Sequence, residues 1–287
     1  MERRAKLAVF GAGIGVALLF MTWFAAFHIG FVERVDQKIF SGFGGLSHRP
    51  RVSSLANFIA HLCNPKPYVY LAVLPLLLAL ARRRIRVAVT VSGILLGANV
   101  TTELLKPMLA QHRADSLLGR ILPPDAASWP SGHATAAMSL ALCLVLASPA
   151  RLRPAVATLG AVFSVAVSYS FLTLGWHYPS DVLGGFLVAM TWTLLGVAAL
   201  YVADARLRGT ELVSGEPVPT STALGPPAAT LLGAVLVAGA VTVARPAAIV
   251  SYAKAHETFV IGAVGIGVVA LMIATGLMLA LVRQTPR

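Results

Sequence analysis

Long apolar runs, separated by short breaks rich in proline, glycine and arginine, set the pattern of this chain. Eight runs stand out, near Leu7 to Gly30, Tyr68 to Ala81, Val87 to Leu105, Gly132 to Ser148, Pro154 to Leu174, Val182 to Ala203, Ala228 to Ala244 and Thr258 to Val282. A hydrocarbon core of about 30 Å takes roughly 20 apolar residues of helix, and backbone within it must satisfy its own hydrogen bonds. The pattern therefore predicts eight membrane-spanning helices. Ahead of the second run, Leu55, Phe58, Ile59 and Leu62 repeat at helical spacing. Pro65 and Pro67 separate the two stretches, so residues 53 to 63 are expected to form an amphipathic helix of their own, lying in the interface. The first run follows Arg3, Arg4 and Lys6 but is longer than a signal-peptide core, and no small-residue cleavage site follows it. It reads as an uncleaved first span.

The expected fold is thus all-α, a polytopic transmembrane bundle. Six spans form a core over residues 1 to 203 and hold every candidate catalytic group. Residues 204 to 227, with Gly209, Gly215, Pro217, Pro219, Gly225, Pro226 and Pro227, read as a cytoplasmic linker. Residues 228 to 287 supply two accessory spans, in which Gly262, Gly265, Gly267 and Gly276 suggest close helix packing. The Gly11-x3-Gly15 pair reads the same way, lacking the spacing of a nucleotide fingerprint.

Composition agrees, with 57% hydrophobic and 12% charged residues. The net charge of +12 is divided between two membrane faces by the predicted topology. That division argues against nucleic acid as a partner and for anionic lipid headgroups. Alternating the spans places Arg3, Arg4, Lys6, Arg82, Arg83, Arg84, Arg86, Arg151, Arg153, Arg206, Arg208, Arg283 and Arg287 on one face, 13 basic residues against 10 on the other. The tight Arg82 to Arg86 cluster marks that face as cytoplasmic, which puts the opposite ends at the cell exterior or periplasm of a plasma membrane protein. Cys63 and Cys143 are too few for a disulfide framework and read as packing residues.

Candidate chemistry gathers at those outer ends. Lys106 closes the third span and Arg113 follows after six residues; two such cations can bracket a phosphate, one as a point charge and one through a planar fork. Pro130-Ser131-Gly132-His133 opens the fourth span, where free N–H groups and the positive end of the helix dipole make an anion site. Ser131 adds a hydroxyl and His133 a titratable proton. His177 and Asp181, four apart at the entrance to the sixth span, allow the carboxylate to orient one imidazole nitrogen and leave the other as a nucleophile. A metal site built from these histidines with Glu103, Asp115 or Asp125 is the rival reading, opposed by the nearby Lys106 and Arg113; the expectation is no metal and no cofactor.

Taken in order, Lys106-x6-Arg113, Pro130-Ser131-Gly132-His133 and His177-x3-Asp181 resemble the three signatures of the type 2 phosphatidic acid phosphatase (PAP2) superfamily, over about residues 30 to 203. The resemblance implies a metal-independent lipid phosphatase working through a phosphohistidine. His177 would attack phosphorus with Asp181 orienting it, and His133 would protonate the leaving oxygen and then activate water. Lys106, Arg113, Ser131 and the N–H of Gly132 would hold the phosphoryl oxygens. The implied substrate is a membrane lipid phosphate, such as a polyprenyl phosphate or diphosphate or a phospholipid phosphate. A phosphotransferase of the same chemistry and a non-catalytic lipid-phosphate binder stand as alternatives. Two departures bear on this choice. Ala114 follows Arg113 where the family has proline, and Ser170-Phe171 stands where it has Ser-Arg, so a phosphate-binding cation is missing from its expected place, unless Arg120 or another basic residue fills it.

Overall fold

The structure is a computed structural model that describes residues 2–111, 125–207 and 219–281. Among the described residues it is all-helical. Eleven α-helices follow in order: α1 (Glu2–His28), α2 (Gly30–Ser47), α3 (Pro50–His61), α4 (Pro65–Ala81), α5 (Ile85–Met108), α6 (Gly132–Ala147), α7 (Arg153–Thr173), α8 (Pro179–Arg206), α9 (Thr220–Ala244), α10 (Pro246–Ala255) and α11 (Glu257–Leu281). This is an integral membrane protein: α1, α5, α8, α9, α11, and α7 with the short turn before it, are each long and apolar enough to cross a bilayer. The α3–α4 pair, bent by 58°, makes a seventh crossing if counted as one. The expected fourth span, α6, has 16 residues, about 24 Å of helix. It needs no lipid-matched length of its own because it runs through the middle of the bundle, buried on every side against α4, α5, α7, α8 and α11.

The break between α3 and α4 falls where Pro65 cannot continue the preceding helix, with Asn64 in an extended conformation at the start of α4. Two helices lie in stretches expected to be loops. Helix α2 buries Asp36, Gln37, Ile39, Phe40 and Phe43 and packs on α7, α8 and α11; its apolar face is interrupted by charged residues, which hid it from the hydropathy pattern. Helix α10 is a short exposed connector.

The C-terminal part departs from expectation. Helix α9 begins at Thr220 and takes in Gly225, Pro226 and Pro227, so those residues are helix and not linker; glycine and proline are commoner in membrane helices than in soluble ones. Residues 208–218 lie outside the described residues. Nor are the last two spans an equal appended pair. Helix α9 leaves almost all of its surface facing outward. Helix α11 instead enters the bundle, burying Ile266, Ala270, Ala274, Leu277 and Met278 against α7, α2, α6 and α8. The Arg153 guanidinium donates to the Leu281 carbonyl at 3.0 Å, closing the end of that helix.

Three arginines hold helix ends on one side of the bundle. Arg84 donates to the carbonyls of Leu146 and Ala147 at the end of α6, and Arg86 pairs with the buried Asp204 near the end of α8 at 2.8 Å. The two histidine motifs stand at the opposite end, at the first turns of α6 and α8.

Candidate active site

Helix α7 ends in a glycine turn that delivers His177. Gly175 has φ +77°, a region open to glycine at no steric cost. Its N–H donates to Leu172 and that of Trp176 to Phe171, at 3.2 and 2.9 Å, the paired bonds of a Schellman motif. Pro179 then occupies the first turn of α8. Asp181, in that same turn, accepts the Tyr178 N–H on Oδ2 at 2.9 Å, and the same oxygen lies 3.5 Å from His177 Nδ1. Both side chains are buried or nearly so.

Helix α6 starts beside it. Ser131 is fully buried, and its Oγ accepts the Ala134 N–H at 3.3 Å as the helix cap. The expected phosphate-facing hydroxyl is, in this structure, a capping group. Ser131 N–H in turn donates to the Asp181 carbonyl at 2.9 Å, joining the two helix starts directly. Gly185 makes that approach possible: a Cβ there would lie 2.6 Å from the Ser131 carbonyl oxygen and 2.9 Å from Thr135 N. One turn deeper, the Thr135 hydroxyl meets Thr102 of α5 at 3.0 Å and the Gly185 carbonyl at 3.3 Å, tying three helices below the site.

His133 and His177 consequently face each other with ring centroids 6.1 Å apart. Phe171 is fully buried against both, at 5.8 and 5.1 Å. Where a guanidinium is expected, an apolar ring instead forms the floor under the two imidazoles. Trp176 also packs near His133, with ring centroids 5.6 Å apart. Lys106 reaches in from the last turn of α5: a Cβ on Gly132 would lie 3.2 Å from its Nζ and 3.1 Å from Glu103 Oε1. Glu103 and Lys106 are themselves paired at 2.6 Å. Arg113, Arg120 and Asp115 lie outside the described residues. Among the described residues no three His, Cys, Asp or Glu side chains gather as metal ligands.

A groove of about 720 Å³ leads away from Gly132, His133 and Lys106 between α4, α5 and α6. On α5 it runs from Lys106 to Ser92, about 21 Å at 1.5 Å per residue. Its walls are mostly apolar, with Val69, Ala72, Val73, Leu76, Leu95 and Leu96. Tyr68 and Asn99 interrupt them but are themselves paired, Asn99 donating to the Tyr68 hydroxyl at 3.2 Å, and that hydroxyl meets the buried Ser139 at 3.3 Å.

Residues 87–204, the stretch carrying Lys106, both histidines and Asp181, match the profile of the PAP2 superfamily. The chain is also 34% identical over 137 residues to an undecaprenyl-diphosphatase of Sulfolobus acidocaldarius, covering 46% of this chain and 64% of that protein. Its fold matches the crystal structure of a transmembrane PAP2-type phosphatidylglycerolphosphate phosphatase from Bacillus subtilis with a TM-score of 0.54 and 20% identity, over 67% of this chain and 96% of that one.

Two site residues fall outside the PAP2 stretch and outside the sequence motifs. Asn64, at the start of α4, meets His133 Nε2 through Oδ1 at 2.9 Å. Asp36, buried on α2, accepts the Ser180 N–H on one oxygen at 2.9 Å and the Ser180 hydroxyl on the other at 2.6 Å. Asp36 therefore pins the first turn of α8 between His177 and Asp181, at the positive end of that helix. An acidic residue within an amphipathic helix and an asparagine before a proline were the available signals, and neither names its partner.

Proposed function

We propose that the protein hydrolyses a lipid-linked phosphate monoester or diphosphate, through a phosphohistidine and without a metal, at the outer face of the plasma membrane. The observation that carries this reading is the pair of histidines 6.1 Å apart at the head of an apolar groove. A lipid tail suits the groove, and its phosphate then meets Lys106 and the N–H groups of Gly132 and His133, which lie beyond the reach of the helix's own ladder.

His177, with Nδ1 toward Asp181, has Nε2 as its nucleophilic nitrogen. The phosphorus–nitrogen bond forms as the phosphorus–oxygen bond to the lipid breaks, and His133 gives its proton to the departing oxygen. A water then replaces the lipid. His133 takes a proton from it, the oxygen displaces His177, and phosphate leaves. Lys106 and Arg113 hold the phosphoryl oxygens as charge spreads over them. The 3.5 Å His177–Asp181 separation leaves this contact to tighten on substrate binding, as catalytic hydrogen bonds commonly do.

The undecaprenyl-diphosphatase relative makes a polyprenyl diphosphate the first substrate to try. Phe171, in contact with both rings, favours a second reading in which lipid phosphate is bound without turnover, since loss of one charged donor costs on the order of 10² to 10³ in rate. Phosphate release by the detergent-purified protein on a panel of lipid phosphates, with chelator present, separates the two. His177→Ala and His133→Ala are expected to abolish release in folded protein, with chelator having no effect. Full activity in His177→Ala would sink the mechanism, and Lys106-dependent binding without release would establish the second reading.

A further inference from the structure

The Glu103–Lys106 pair stands in the place where the proposed reaction needs a phosphate. Glu103 Oε1 and Lys106 Nζ are 2.6 Å apart, and each lies just over 3 Å from where Gly132 lacks a side chain. Gly132 opens α6, so the carboxylate and the ammonium both hang over the positive end of that helix. Glu103 also lines the groove together with Lys106 and His133. A carboxylate at this point has the charge, the two oxygens and the position of a phosphoryl group.

We infer that Glu103 is a built-in competitor for the phosphate position, holding Lys106 while the site is empty and swinging out as a phosphorylated ligand enters. This rests on the proposed reading of the site and adds its regulation. The Glu103 side chain is 65% exposed and that of Lys106 is 23% exposed. An exposed pair one helical turn apart is weak and breaks readily, so Glu103 reaches solvent without disturbing α5. The same charge that vacates the site also opposes a dianion resting in it. Free phosphate, the product with the most charge and the least apolar surface, is the ligand it disfavours most. A lipid phosphate keeps the compensation of its tail in the groove, which free phosphate lacks. Glu103 thereby opposes retention of the product more than binding of the substrate at one subsite. Phe171 works in the same direction by withholding a second fixed cation from the floor of the site.

The test is titration of the full-length protein in detergent with inorganic phosphate, followed by calorimetry, for the parent, Glu103→Gln, Lys106→Ala and the double variant. Glu103→Gln keeps size and hydrogen bonding while removing the charge, and is expected to tighten phosphate binding by about tenfold. Lys106→Ala is expected to weaken it, and the double variant to lose the gain. Affinity unchanged or weakened in Glu103→Gln overturns the inference, as does an absence of phosphate binding in both. Lipid phosphate turnover measured on the same preparations keeps the two ideas apart. Tighter phosphate binding with no turnover removes the hydrolytic reading and leaves the competitor, whereas turnover with unchanged affinity removes the competitor alone.

Discussion

Asn64 links the proposed acid to the wall of the groove. Its Oδ1 lies 2.9 Å from His133 Nε2, and it sits at the bend where α3 gives way to α4. An imidazole held at one nitrogen presents its proton in a fixed direction, which matters for a group that must meet a departing oxygen within hydrogen-bond reach. Asn64→Ala is expected to lower kcat by about tenfold while KM changes by less than about twofold. Steady-state kinetics on the substrate found by the lipid panel would show it, and a raised KM at full kcat would assign Asn64 to binding instead. His133, His177 and Asp181 were legible as residues because each belongs to a short motif at the mouth of an apolar run. Asn64 and Asp36 were not, because their partners lie 69 and 144 positions away. Local spacing carries no record of such distances.

Between elements, the decisive contact is the crossing of α6 and α8. Their first turns share a backbone hydrogen bond from Ser131 to Asp181, and Gly185 leaves the space for it. A side chain at position 185 must push the two starts apart, and with them His133 and His177. Gly185→Val is therefore expected to cost about 10² in turnover, with a lowered melting temperature in detergent from overpacking. Retention of full activity would show that the separation of the two helix starts is not what sets the reaction. Hydropathy anticipated both helices, with the histidine motifs at their starts. It placed the linker's end eight residues late, because Pro226 and Pro227 read as loop although they lie within α9. It missed α2 because a helix carrying Glu33, Arg34, Asp36 and Lys38 lacks the long apolar run of a span.

At the scale of the whole molecule, the bundle has two chemically different ends. Arg84, Arg86 and Arg153 close helix ends on one side, and the histidines open helices on the other. The positive-inside tendency predicts the arginine end in the cytoplasm and the site outside. Because Cys63 and Cys143 are buried, a cysteine introduced as Asp125→Cys is expected to be labelled by a membrane-impermeant maleimide on intact cells; labelling that needs permeabilised cells would reverse the orientation. The sequence by itself determined the helical class, the polar ends of the spans and the residue types able to handle a phosphate. Each of these follows from local chemistry: apolar length against bilayer thickness, backbone satisfaction without water, and donors at a helix start. Only the tertiary structure decided that α11 joins the bundle while α9 lies outside it, that Phe171 floors the histidine pair, and that Asp36, Asn64 and Glu103 complete its surroundings. Those outcomes depend on which helix faces meet, and that is settled by packing complementarity among all the helices at once.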